Sequence, residues 1–215
     1  MQFTLDFGRG IFKTPQQGRN NNRKSCTRNK GRSLLQIPRD YTVLDLETTG
    51  LRPASDSIIE VACIKYRDGR EVDTYHTYVR PATFHSEDSE GYTYYVNGFI
   101  TNLTGITNEM LEEAPSFEDI AEELSAFLEG EIIVGHNVNF DINFLYDNYK
   151  NFDGSDFSND FLDTMRLARR LLPDLPHHRL DDLADFFNIR GIHHRAMEDC
   201  RMTQGVLKGL ASLVR

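Results

Sequence analysis

Three short acidic motifs follow one another along the chain: Asp45-Leu46-Glu47-Thr48-Thr49-Gly50, His136-Asn137-Val138-Asn139-Phe140-Asp141 and His194-Arg195-Ala196-Met197-Glu198-Asp199. Together they offer four carboxylates (Asp45, Glu47, Asp141, Asp199) and one histidine, His194. All-oxygen ligands of this kind suit hard divalent cations, Mg²⁺ or Mn²⁺. Two such ions can flank a phosphodiester, and a histidine titrating near neutrality can take the proton of an attacking water. Each motif alone has a plain structural explanation. Asp-x-Glu is frequent in an acidic chain, and an acid in a first helical turn answers the helix dipole. Their co-occurrence carries the chemistry.

The elements that must position these residues can be read from hydrophobic periodicity. Tyr41–Leu46 reads as a strand, and its period of two puts Asp45 and Glu47 on one face. Thr48-Thr49-Gly50 ends it in a turn whose amides can meet a phosphate or a terminal hydroxyl. A short strand over Glu131–Val134 leads through a turn holding His136 and Asn137 into a helix over Asn139–Tyr149. That helix starts at Asp141's end. His136 is placed there to donate to a phosphate or to a metal-bound carboxylate. His194 and Asp199 are five apart, about 140° on one helix. His194 is therefore expected in a loop and Asp199 in the early turns of a helix over Ala196–Leu213.

The remaining signals complete the frame. Ser57–Tyr66 and Glu71–Val79 read as strands around an Arg67-Asp68-Gly69-Arg70 turn, and residues 81–98 as a long polar, Tyr-rich loop. Apolar residues from Phe117 to Leu128 recur at helical spacing behind Ser116, a candidate N-cap with Asp119 three residues on. Phe161 and Leu162 suggest a strand, Asp163 a cap for a helix to Leu172, and Leu180–Phe187 one more helix. A three-stranded meander followed by alternating helices and strands predicts a mixed α/β sheet.

The net charge of -9 over 215 residues hides a division. Residues 1–39 hold nine Lys/Arg and one acid, a balance of +8, which leaves -17 on residues 40–215. Residues 8–39 are rich in Gly, Asn, Gln, Arg and Lys without lasting periodicity, so residues 1–39 are expected to be a disordered basic arm before a folded domain at 40–215. A mitochondrial transit peptide is the rival reading, disfavoured by the many Asn and the missing amphipathic stripe. The arm can compensate the acidic domain through phosphate contacts, or serve only as a solubilising tail. Three dispersed cysteines suggest neither a disulfide framework nor a metal cluster, hence a reducing compartment. No apolar run is long enough for a membrane span, and the start lacks a secretory hydrophobic centre. A cytoplasmic protein with no membrane partner is expected.

At its motifs the chain resembles the DnaQ-like 3′–5′ exonucleases, the proofreading-subunit family of bacterial DNA polymerase III, within the DEDD exonucleases of the ribonuclease H-like fold. The likeness runs from about Tyr41 to the C-terminus. Asp45 and Glu47 match the first motif, Asp141 the second, and His194 with Asp199 the third. A histidine five before the last aspartate marks the histidine subclass. Leu103–Thr107, Asp163–Ala168 and His178–Leu183 resemble the family's connecting segments. The resemblance implies a five-stranded mixed sheet flanked by helices. It implies two divalent ions, one held by Asp45, Glu47 and Asp199 and a second reached by Asp45 and Asp141. It makes His194 the base and assigns the 3′ end to Leu46, Thr48 and Thr49. Single-stranded DNA 3′ ends are the implied substrate, with nucleoside 5′-monophosphates released in proofreading or repair. RNA trimming and an inactive nucleic-acid-binding module are the alternatives. Gln2, Leu5 and Phe7, in a Gln-x-x-Leu-x-Phe pattern, resemble the peptides by which bacterial replication proteins bind the sliding clamp. A sliding clamp or a DNA polymerase is accordingly the expected protein partner.

Overall fold

The computed structural model describes residues 28–88, 91–191 and 195–214. A short strand β1 (Ser33–Leu34) precedes a meander of β2 (Asp40–Thr48), β3 (Ile58–Arg67) and β4 (Arg70–Tyr78). A small hairpin, β5 (Ser86–Glu87) and β6 (Thr93–Tyr94), leads to helices α1 (Gly98–Thr104), α2 (Asn108–Glu112) and α3 (Phe117–Leu128). Then come β7 (Ile133–Gly135), α4 (Asn139–Phe152), β8 (Phe161–Asp163), α5 (Thr164–Leu171), α6 (Leu180–Phe186) and α7 (Ala196–Ser212).

The main sheet runs β1-β8-β7-β2-β3-β4. β2, β3 and β4 pair antiparallel; β7, β8 and β1 continue in parallel from the other side of β2. The class is the mixed α/β sheet expected, with six strands instead of five. The sixth, β1, comes from the segment that composition assigned to the arm. Its Ser33 and Leu34 pair with Phe161 and Leu162 of β8, and backbone groups of a sheet edge offer such pairing whatever the side chains. Residues 1–27, with the arm's start and Gln2, Leu5 and Phe7, lie outside the described residues. The stretch 81–98 is also more ordered than a plain loop, since it contains the β5–β6 hairpin and the start of α1.

Strand alternation divides the core. Leu44 and Leu46 of β2, with Val61 and Cys63 of β3, pack beneath α3 and α4. Tyr41 and Val43, with Ala62 and Ile64, pack beneath α5, α6 and α7. A third cluster, Ile59, Val96, Ile100, Ile106 and Leu111, seats α1 and α2. Two helix starts follow caps visible in the chain. Ser116 and Asp119 form a reciprocal capping box on α3, and the Asp163 carboxylate accepts from Met165 N and Arg166 N at the start of α5. Gly135 lies where β7 turns toward α4. A Cβ there would stand 2.6 Å from Val138 Cγ2 and 2.9 Å from the Leu44 carbonyl oxygen. Only a glycine lets the turn close so near β2.

Candidate active site

Asp45 and Glu47 project from the end of β2 on the side covered by α7, as their spacing requires. α7 brings Asp199 to them from its first turn, the Asp199 amide bonding back to the Arg195 carbonyl at 2.9 Å. One carboxylate oxygen from each of Asp45, Glu47 and Asp199 lies within 4.8 Å of the others. Asp141 arrives from the opposite layer. β2 and β7 pair only at Thr42–Ile133 and Val43–Val134. Beyond that point the strands part, and the Leu46 amide donates instead to Asp141 Oδ1 at 3.1 Å. Asp141 and Asp199 are 4% and 9% exposed.

Charge crowding follows from this packing. Burial, then the charges of Asp141, Glu47 and Asp199, hold Asp45 well above the usual carboxylate range. Burial, then Asp199 and Glu60, push Glu47 up to about 8, with Arg195 opposing. Burial also raises Asp141, although its amide bonds, including that from Leu46, act against the rise. Divalent cations on these oxygens would relieve the conflict, and an all-carboxylate donor set fits Mg²⁺ or Mn²⁺.

The other expected site residues are placed as follows. Thr48 Oγ1 donates to the Gly50 carbonyl at 2.7 Å. Thr49 donates its amide to Ser57 O and accepts the Ser57 amide on its hydroxyl, both at 2.9 Å. With Leu46 N committed to Asp141, this turn is held by its own bonds. His136 Nδ1 pairs with Thr164 Oγ1 at 3.0 Å, and burial lowers its pKa. Asn137, at a φ of 60°, donates its amide to Asp163 Oδ1 at 3.0 Å. Their bonds thus run to the start of α5. His194 lies outside the described residues.

The motifs did not point to Glu60, which is 0% exposed on β3 directly opposite Glu47. Its signal was available: one acid inside the apolar run Ile58-Ile59-Glu60-Val61-Ala62-Cys63-Ile64. Glu60 Oε1 lies 2.6 Å from His76 Nε2, and Oε2 accepts the Ala196 amide at 3.3 Å.

The exonuclease family RNase_T matches residues 42–207. Curated relatives include the PolC-type DNA polymerase III of Caldanaerobacter subterraneus, 37% identical over 174 residues, and that of Thermotoga maritima, 38% identical over 176. The matches cover 80% and 81% of this chain but 12% of each polymerase, so the chain spans about one-eighth of the length of these relatives. Among solved structures, Exonuclease X in complex with 5′ overhanging duplex DNA is 25% identical with a TM-score of 0.62, covering 80% of this chain and 91% of that one. E. coli Exonuclease I in complex with a dA16 oligonucleotide, at 20% identity and a TM-score of 0.63, covers 82% of this chain and 41% of that one, and shares the fold. By its profile match across both halves of the carboxylate site, the chain belongs to the exonuclease family, with the DnaQ-like, ribonuclease H-like fold.

Proposed function

We propose that this chain is a metal-dependent 3′–5′ exonuclease that acts on single-stranded DNA ends in replication proofreading or repair. One observation carries the reading: Asp45 and Glu47 from a strand and Asp199 from a helix converge within 4.8 Å, with Asp141 bonded to the same strand end. Such a set has no structural purpose that apolar residues would not serve better. Asp45, Glu47 and Asp199 would hold one divalent ion, and Asp45 with Asp141 a second. Bound there, Mg²⁺ or Mn²⁺ would neutralise the phosphate and stabilise both the entering and the leaving oxygen. His194 would accept the proton of the attacking water. The water oxygen would bond to phosphorus as the bond to the 3′ oxygen of the preceding nucleotide breaks, releasing a nucleoside 5′-monophosphate. Backbone at Leu46, Thr48 and Thr49, with His136 and Asn137, would seat the terminal nucleotide.

The DNA named with Exonuclease X and Exonuclease I supports DNA as the substrate, and the PolC-type relatives support work beside a DNA polymerase. Gln2, Leu5 and Phe7 would hold a sliding clamp, with the cytoplasm as the setting. Among the described residues no helix is long and apolar enough to cross a membrane.

The test is nucleotide release from matched DNA and RNA oligonucleotides with Mg²⁺ or Mn²⁺. DNA is expected to be digested from its 3′ end, and chelator or Asp45→Ala to abolish release while the circular dichroism spectrum is kept. His194→Ala is expected to slow release by about 10²–10⁴-fold. Faster digestion of RNA would assign the alternative substrate. Activity in chelator, or in Asp45→Ala, would overturn the metal site itself.

A further inference from the structure

Glu60 needs an explanation that the reaction does not supply. It is the third residue of β3, 0% exposed, between the buried side chains of Ile59 and Val61. A leucine there would pack without the desolvation cost of an acid. Both of its oxygens are engaged, one by His76 Nε2 and one by the Ala196 amide.

Ala196 is the first residue of α7, and the first turn of a helix has amides with no intrahelical partner. The cap position, Arg195, makes no side-chain capping bond. The carboxylate of Glu60 therefore serves as a cap supplied by the sheet. A second tie lies beside it: Arg195 donates to the Tyr78 hydroxyl at 2.8 Å. Tyr78 is the ladder partner of Glu60 on β4, and its ring meets that of His76 edge-on at 5.6 Å. Two adjacent strands thus grip the entry of α7 at Arg195 and Ala196. Asp199 is three residues further, less than one helical turn. A shift at the grip moves that carboxylate relative to Asp45 and Glu47.

We propose that Glu60, oriented by His76, is a positioning residue that fixes the start of α7 against β3 and so sets Asp199 against Asp45 and Glu47. The assignment rests on the metal-dependent reading above. It separates geometry from charge, because glutamine keeps an oxygen for the Ala196 amide and leucine does not.

The experiment compares the full-length protein with Glu60→Gln, Glu60→Leu and His76→Phe. It reads Mn²⁺ binding by calorimetry, melting temperature in chelator, and kcat and KM on a DNA oligonucleotide. Loss of a group that orients a metal ligand costs about 10–100-fold in metal affinity. Glu60→Leu is expected to weaken Mn²⁺ binding by at least about 10-fold and to lower kcat with KM for the oligonucleotide kept. Glu60→Gln is expected to stay within about 3-fold of the parent, and His76→Phe to fall between the two. Equal losses in the glutamine and leucine variants would show that Glu60 acts by charge and overturn the proposal, as would parental Mn²⁺ affinity in Glu60→Leu. If Glu60→Leu does not fold, His76→Phe decides, and parental affinity there overturns it. A parent that binds no Mn²⁺ yet digests DNA would instead refute the metal-dependent reading.

Discussion

At the scale of single residues, the site is a set of acids held closer than their charges favour. Glu47 shows the consequence most directly. Its ordinary value of 4.5 rises to about 8 in the fold. A carboxyl with a raised folded pKa is stabilising only where it is protonated. Its contribution is complete below about pH 4.5 and is lost as pH climbs through about 8. Asp45 and Asp141 shift in the same direction. The metal-free protein is therefore expected to melt several °C lower at about pH 8.5 than at about pH 5.5, since roughly 2–4 °C accompanies each kcal/mol in a chain of this size. Mg²⁺ or Mn²⁺ binds the folded state and should restore most of the loss at the higher pH, with a smaller effect at the lower. Thermal unfolding with and without chelator measures both; a flat melting temperature across that range would refute the crowding. That the four acids come together was legible from residue type and spacing, since Asp-x-Glu on a strand, a helix-opening Asp and an Asp in the first turn of the last helix each point to one sheet end. Glu60 was not, because a lone acid in an apolar strand declares its purpose only once its two partners are seen.

At the scale of elements, segments with a readable apolar signal were legible, including three-residue β7 and β8, and segments without one were not. β2, β3, β4, α3, α4 and α7 fall close to their expected spans, since each carries a clear repeat. Two-residue β1, β5 and β6 have no repeat to read. α1 and α2, seven and five residues long, are marked only by their caps, Asn97 and Thr107. β1 matters most, because it closes the edge of β8. Phe161 N donates to the Arg32 carbonyl at 2.9 Å, and Arg28 makes a bidentate pair with Asp147 of α4 at 2.7 and 2.6 Å. Lys30 Nζ donates to Asn139 and Asn143 on the same helix. Relative to a form lacking residues 1–27, truncation of 1–34 is expected to lower the melting temperature and to speed hydrogen exchange at the Phe161 amide. Equal melting of the two truncated forms would show that β1 adds nothing. Gly135→Ala tests the other side of the frame. A methyl 2.6 Å from Val138 must push the turn outward, at about 1–3 kcal/mol by chemical denaturation. Nucleotide release should fall with it, because the same turn leads into the helix carrying Asp141.

At the scale of the whole molecule, the charge division was plain in the sequence, but its boundary needed the structure. Of the nine bases in residues 1–39, Arg28, Arg32 and Arg39 are paired with Asp147, Asp160 and Asp68. Lys30 is occupied by two asparagines. Composition cannot single out these four cations, since they and the five in residues 1–27 lie in one polar, basic stretch. Those five are expected to offset an acidic domain that repels phosphates. Each phosphate neutralised on a single strand contributes about 0.7 to the slope of log affinity against log salt. Binding of a DNA oligonucleotide to Asp45→Ala, measured by fluorescence anisotropy over a series of KCl concentrations, should therefore lose up to about 3 to 4 from that slope when residues 1–27 are removed. Affinity at low salt should fall, while values converge at high salt where the contacts are screened. Identical slopes with and without residues 1–27 would mean that the basic segment does not touch the strand, and that the acidic domain recruits its substrate through the carboxylate-bound cations and the terminal nucleotide alone.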